Sequence, residues 1–561
     1  MNRTGNECRY NLLQGSTMEN SKKNTVVAVT GPDGAMGGEV VAHLLSSAEN
    51  FELRLFVYDK TIFNRRFFFY KKPRHYRSFF KSLLKKGKNR ITVIKGDLAD
   101  YNAVARFIDG ADYVVHCGAV IPPKADHNPL NTINTNYAGT CNVVDAIKNS
   151  GRQDEIKLVH ISTVAVYGNR DYHHIWARMG DPVMSSAYDY YSASKIKGER
   201  YVLESGLKNW VVLRQTAVYH KYFLANNMND GLMFHTCWNA PLEWVTDRDS
   251  GLCIQHLIEK DLHGKLQGFW KKDYNIGGGA ACRETGFETF NSGFGLMGAS
   301  AKKFFNPNWN ITRNFHGVWY TDSDILDKWL EYRTETSADY WRRMKKSLWY
   351  YWFGRIVPSG LIRKLAIERL LKNSNAPMNW VRLGKKGRID AFFGGKEAFE
   401  AIPKDWKDFP VLAEGRSPEG KIDYGELKDE SKADKYKLNH GYDESKSDDE
   451  LDLQDLKQAA QFRGGEVVSS DMKKGDLYSK ISWKCHNGHV FESSPYTILK
   501  AGFWCPECCE ALPKWSFDKA AAKVPFYAQI WYDTHRKDEE NNVYPYDDHE
   551  DDDLLKPVEK L

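Results

Sequence analysis

Six short apolar runs, each followed by a stretch with helical spacing, constrain this chain more than any other feature. The runs are "TVVAVTG", "LRLFVYD", "RITVIKGD", "ADYVVHCGA", "IKLVHIST" and "WVVLRQT", all between residues 24 and 216. Between them lie segments such as "GGEVVAHLLSSA" and "NTNYAGTCNVVDAIKNS", whose apolar positions recur at three and four. Strands buried on both faces and alternating with helices predict an α/β fold, a doubly wound parallel sheet of the Rossmann kind. A smaller mixed substrate-binding part is expected to follow, to about residue 340.

The first run ends in "TGPDGAMGG", which places Gly31, Gly34 and Gly37 between a predicted strand and a predicted helix. Glycines at this spacing let the backbone turn tightly, approach a pyrophosphate and present helix N-terminal amides to it. The second run ends at Asp59, whose carboxylate can accept both ribose hydroxyls of an adenosine and would repel a 2'-phosphate, so NAD is expected over NADP. The basic stretch that follows, residues 60–90, is expected to be a solvated insertion. In "KGDLAD", Asp97 is placed to accept from an adenine amino group while Leu98 packs on the ring; "HCGA" offers small residues where backbone meets cofactor. Further on, "YDYYSASKIKGER" puts Tyr191 and Lys195 on one helical face, with Tyr190 turned away, and makes Tyr191 the candidate acid or base.

In order, these motifs, with "NTNYAGT", "STVAVYG" and "LRQTAVY", resemble the extended short-chain dehydrogenase/reductase superfamily, the NAD-dependent epimerase/dehydratase and 3β-hydroxysteroid dehydrogenase-like group. The resemblance covers residues 24–340 and implies that Tyr191 is the general acid/base, that Lys195 favours its phenolate and holds the nicotinamide ribose, and that Thr163 binds the substrate oxygen. Ser162 is sent to the opposite face by strand alternation, and Asn136 is implied to be structural support. Family dehydratases carry an Asp-Glu pair after the catalytic Thr; here those positions are Val164 and Ala165, which disfavours dehydration. The leading expectation is therefore NAD-dependent interconversion of a secondary alcohol and a ketone. The aromatic composition of residues 220–244 leans towards a sterol-like or other apolar substrate. A nucleotide-sugar epimerase with retained NAD, using Arg283 and Arg313 for a diphosphate, is the alternative, and a cofactor-sensing binding protein is a third.

Ten cysteines in 561 residues do not make a disulfide framework, but Cys485, His489, Cys505 and Cys508 have metal-ligand spacing. The context resembles treble-clef or zinc-ribbon modules, and implies a structural zinc and a nucleic-acid or protein partner. His486 and Cys509 are competing ligands. The expected layout is a disordered N-terminus (1–23), the Rossmann and substrate parts (24–340), an aromatic, basic helical extension (341–401), a charged solvated linker (402–454), an independent zinc module (455–512) and a polar acidic tail (513–561). The extension is expected to pack its aromatic face on the preceding domain, with peripheral membrane contact through 341–371 as the other reading. No run approaches the length of a spanning helix, and the expectation is a cytoplasmic homo-oligomer acting on a small molecule, with net charge +6 implying no nucleic acid by itself.

Overall fold

The computed structural model describes residues 24–58, 74–224, 229–508 and 517–539. All six apolar runs are strands: β1 (Thr25–Thr30), β2 (Phe51–Tyr58), β3 (Ile91–Gly96), β4 (Tyr113–His116), β5 (Lys157–Thr163) and β6 (Trp210–Gln215). A seventh, β7 (Lys272–Ile276), completes one sheet in the order β3-β2-β1-β4-β5-β6-β7, every pair parallel. Period-two alternation divides each strand between two cores. Val27 and Val29 face α1 (Ala35–Ser46), while Val26 and Ala28 face α3 (Tyr101–Ile108) and α4 (Gly139–Lys148). Helix α5 (Tyr190–Leu203) lies beside α4, and α6 (Asp247–Leu262) beside α1. Strand order reverses between β1 and β4, so the crevice for a ligand opens where the glycine turn and "HCGA" meet.

Four expectations about organisation are corrected. Within the basic insertion, α2 (Arg74–Lys86) buries Phe80 and Leu83 against the sheet, so this part is not a solvated loop. Residues 402–454 are not a solvated linker either: Leu412, Leu427 and Ala433 are buried with Ile175, Trp176 and Trp319, and Trp176 Nε1 donates to the Leu427 carbonyl at 3.2 Å. Sparse apolar residues among many charges suffice, because Leu412, Leu427 and Ala433 pack into one cluster with Ile175, Trp176 and Trp319. The expected acidic tail begins with two helices, Phe517–Lys523 and Pro525–Trp531, that bury Phe526, Ile530 and Trp531. The aromatic extension is helical and only part of it packs as expected: Trp380, Phe392 and Phe393 are buried, whereas Trp349 is 65% and Trp352 53% exposed. Among the described residues no helix is long and apolar enough to cross a membrane. Residues 1–23 lie outside the described ones.

The cysteine-bearing region is docked rather than separate. Its three-stranded sheet, β8 (Glu466–Val467), β9 (Ile481–Lys484) and β10 (Val490–Ser493), shares one core with the α5 side of the Rossmann sheet. Buried Arg214 on β6 donates to the Ala501 carbonyl at 2.7 Å, Val183 N to the Gly502 carbonyl at 3.0 Å, and Arg200 to the Trp504 carbonyl. Tyr496 packs its hydroxyl on Asp273 of β7, whose amide donates to it at 2.9 Å. Gly502 sits at φ +82°, and a Cβ there would stand 2.0 Å from the Asp181 carbonyl oxygen, so only glycine fits this junction.

Candidate active site and metal centre

The glycine turn is built as a cradle. Gly31 has φ +64°, and a Cβ on it would meet Gly118 Cα at 2.8 Å; one on Gly37 would stand 2.2 Å from the Gly31 carbonyl oxygen. Gly34 N donates to that same oxygen at 3.0 Å. Helix α1 starts at Ala35 with no side-chain cap and no acid in its first turn, which leaves its first amides available to an anion. Leu98 is buried beneath, where a Cβ on Gly139 would stand 2.7 Å from its own Cβ, while Asp97 stays half-buried and accepts from Ala99 N at 3.0 Å. Asp59 lies outside the described residues.

At the carboxyl end of β5, Thr163 caps a short turn through Ala165 N at 3.2 Å, and its hydroxyl is placed to favour the Tyr191 phenolate. Asp189 caps α5 by accepting from Ser192 N at 2.8 Å, which fixes Tyr191 in the first turn. One turn later Lys195 Nζ donates to the Ile161 carbonyl at 2.7 Å. The structure therefore brings Thr163, Tyr191 and Lys195 to one place beside the strand-order switch. Ser162, the preceding strand residue, is hydrogen-bonded to Glu199 instead, and Tyr190 is buried in the core. Asn136, in a π-turn (Asn134–Ala138), clamps Val120 through both backbone groups at 2.7 and 2.9 Å and donates to Ser194 at 3.1 Å.

Burial dominates the electrostatics. It lowers Lys195 to about 8, against the attraction of Glu199, and raises Tyr191 to about 12, with the Thr163 hydroxyl opposing and Asp189 adding. Two histidines that the sequence did not single out lie close to Lys195. His116 is pushed down to about 3 and His160 well below its ordinary value, by burial first and by Lys195 second. His116 has a defined tautomer. Thr140 Oγ1 donates to the Asn136 carbonyl at 2.6 Å and so accepts from His116 Nε2–H at 3.1 Å, leaving Nδ1 to accept from Thr30 at 2.9 Å. Cys117 is driven up to about 12 by burial, which Lys195 opposes. The only sequence trace of this layer was "HCGA" and the His of "IKLVHIST".

Behind α5, Glu199 accepts from Arg214 at 2.6 and 3.0 Å, and Arg214 also reaches Tyr167 at 3.0 Å. Glu199 stands four residues after Lys195, a spacing that marks it in retrospect. Arg283 is engaged by Glu243 at 2.9 Å and Glu430 at 2.7 Å, and Arg313 by Glu539 at 2.8 Å; both are buried and spent on structure, which removes them as ligands for a diphosphate. Met233, Phe234, Trp238 and Trp244 are core residues, so packing accounts for the aromatic composition read as an apolar substrate site.

Cys485, His489, Cys505 and Cys508 converge, with all four ligand atoms within 4.8 Å of one another. Cys485 and Cys508 sulfurs are 3.8 Å apart, and Cys505 Sγ is 3.5 Å from His489 Nδ1. A tetrahedral zinc with ordinary bond lengths requires about 3.8 Å between sulfurs and about 3.5 Å from sulfur to nitrogen, while a disulfide requires about 2.05 Å. The donor set therefore fits a closed four-coordinate ion. His486 is directed elsewhere, its Nδ1 buried without a partner, and Cys509 lies outside the described residues.

Residues 27–236 match the NAD dependent epimerase/dehydratase family. The 3 beta-hydroxysteroid dehydrogenase type 7 of Mus musculus is 28% identical over 183 residues, 32% of this chain and 44% of that protein. Uncharacterized protein 052L of Frog virus 3 (isolate Goorha) is 29% identical over 116 residues, 20% of this chain and 32% of that protein. The chain thus spans less than half the length of these curated relatives. Among solved structures, dTDP-glucose 4,6-dehydratase from Bacillus anthracis, in complex with NAD, covers 59% of this chain and 99% of its own at 18% identity and a TM-score of 0.44. The Rossmann part of the chain is thus similar to the NAD dependent epimerase/dehydratase family, over residues 27–236.

Proposed function

We propose that the chain is an NAD-dependent oxidoreductase that interconverts a secondary alcohol and a ketone. The observation that carries this reading is the convergence of Thr163 and Tyr191 with Lys195 one helical turn away, beside an uncapped glycine-turn helix. NAD would be held by the turn of Gly31, Gly34 and Gly37, by Asp97 and Leu98, and by Asp59 at the adenosine ribose. When bound it supplies the hydride acceptor. Thr163 binds the substrate oxygen, and Tyr191 takes the alcohol proton as phenolate. Burial raises Tyr191 to about 12; an ammonium at Lys195 and the positive charge of a bound oxidised nicotinamide would each favour its phenolate. His116 and His160, held neutral by burial, add no second positive charge beside Lys195.

Val164 and Ala165 are buried and apolar, so the positions that would serve water elimination hold no acid or base. Simple redox is therefore favoured over dehydration, and the spent Arg283 and Arg313 weigh against a nucleotide-sugar epimerase. The mouse relative is named for a hydroxysteroid, which makes sterols the first alcohols to try. Zinc at Cys485, His489, Cys505 and Cys508 is structural in this reading, since four protein ligands leave no open position. The test is to incubate purified protein with NAD and a panel of sterols and nucleotide sugars while following nicotinamide absorbance. Reduction of NAD by a secondary alcohol is expected; retained NAD with sugar interconversion and no net reduction would replace redox by epimerisation.

A further inference from the structure

Between residues 341 and 367 the chain carries seven Lys or Arg and no Asp or Glu. The backbone of this stretch is firmly seated. Met344 and Ile367 are buried, a Cβ on Gly354 would stand 3.0 Å from Met297, and Arg363 lies 4.5 Å over the Trp309 ring while donating to Asn306 at 3.0 Å. From that seat Trp349, Trp352, Phe353, Ile356, Leu361 and Leu365 project outwards, each between 48% and 69% exposed. Phe353 touches both tryptophans, with ring centres 6.1 and 5.7 Å apart, so the rings form one continuous patch. Arg342, Arg343 and Arg363 are paired with Asp339, with Asp247 and Glu335, and with Glu368. Lys345, Lys346, Arg355 and Lys364 are exposed around the rings and make no ion pair among the described residues.

A patch of this size and composition is costly to leave in water. We propose that this face lies in the interfacial layer of an anionic lipid bilayer, with the rings at headgroup depth and the four cations among lipid phosphates and carboxylates. Tryptophan, with an apolar body and a polar tip, suits that depth, and a basic rim suits an anionic leaflet. A second copy of the chain suits it less: a two-fold interface lays the patch on itself, cation against cation, with no carboxylate in the segment to separate them.

The test is co-sedimentation of the full chain with vesicles of phosphatidylcholine alone or containing about one third phosphatidylserine. Binding to the anionic vesicles only is expected, weakened by salt and reduced about tenfold or more by Trp352→Glu and by the Lys345→Glu/Lys346→Glu pair. Both variants should melt at the parent temperature, because the substituted side chains are exposed. Absence of binding to anionic vesicles overturns the proposal, as does binding that neither variant weakens. A parent dimer that Trp352→Glu makes monomeric, without vesicle binding, assigns the face to a second copy instead.

Discussion

Lys195 is buried as a cation among two neutral histidines, and this has a signature in stability as well as in chemistry. Its folded value of about 8 lies below the ordinary 10.5. Between those values the unfolded chain holds a proton that the folded site has released, so this group makes stability rise with pH across that window. Below about pH 8 both states are protonated and the cost of burying the charge is constant. Lys195→Met should therefore flatten the rise in unfolding free energy between pH 8 and 10.5. Denaturation curves across that range check this; an unchanged slope would place the depressed lysine elsewhere. Gly37 offers a second residue-scale prediction. With a Cβ only 2.2 Å from the Gly31 oxygen, Gly37→Ala must displace the turn. Calorimetry should show NAD affinity lost, together with about 1–3 kcal/mol of stability.

At the scale of elements, the chain Ser162–Glu199–Arg214–Ala501 ties α5 to the cysteine-bearing region. Breaking a buried pair leaves an uncompensated charge and costs about 3–5 kcal/mol. Glu199→Gln should fall towards that range in denaturant titration and also lower turnover, because α5 carries Tyr191 and Lys195; a loss below about 1 kcal/mol would mean the pair is replaceable. Six strands were legible because each is a short apolar run, although only β1, β4, β5 and β6 are buried on both faces and edge strand β3 is half-buried or exposed throughout. Tyr191 and Lys195 were legible because period four on α5 points them at one spot, and Thr163 only through the resemblance. Strand β7 was hidden by its own polar residues. Asp273 and Asn275 interrupt the apolar pattern, and only the fold shows why they are tolerated, paired with Tyr496 and with Tyr167 and Asp322. The docking of the cysteine-bearing region was illegible for a different reason. Its contacts run through the carbonyls of Ala501, Gly502 and Trp504, which no side-chain pattern announces.

For the whole molecule, the sequence suggested an enzyme with a detachable module, whereas the structure joins them through one core. Metal binding to a small site is coupled to folding of the residues around it, and here those residues abut Arg214 and Arg200. Chelation should thus lower melting temperature and turnover together, and a chain ending near residue 402 should lose activity. Full turnover by that truncated chain would restore the independent module.

The proposed role of Tyr191 as proton carrier in an NAD-dependent redox reaction can be read from the rate of hydride transfer. The most direct measurement compares single-turnover hydride transfer in the parent and in Tyr191→Phe, with NAD binding followed in parallel. A loss of about 10²–10⁴-fold in rate is expected with NAD affinity nearly unchanged, since the substitution removes the phenol hydroxyl but no part of the glycine cradle. A rate within a few-fold of the parent's would contradict it.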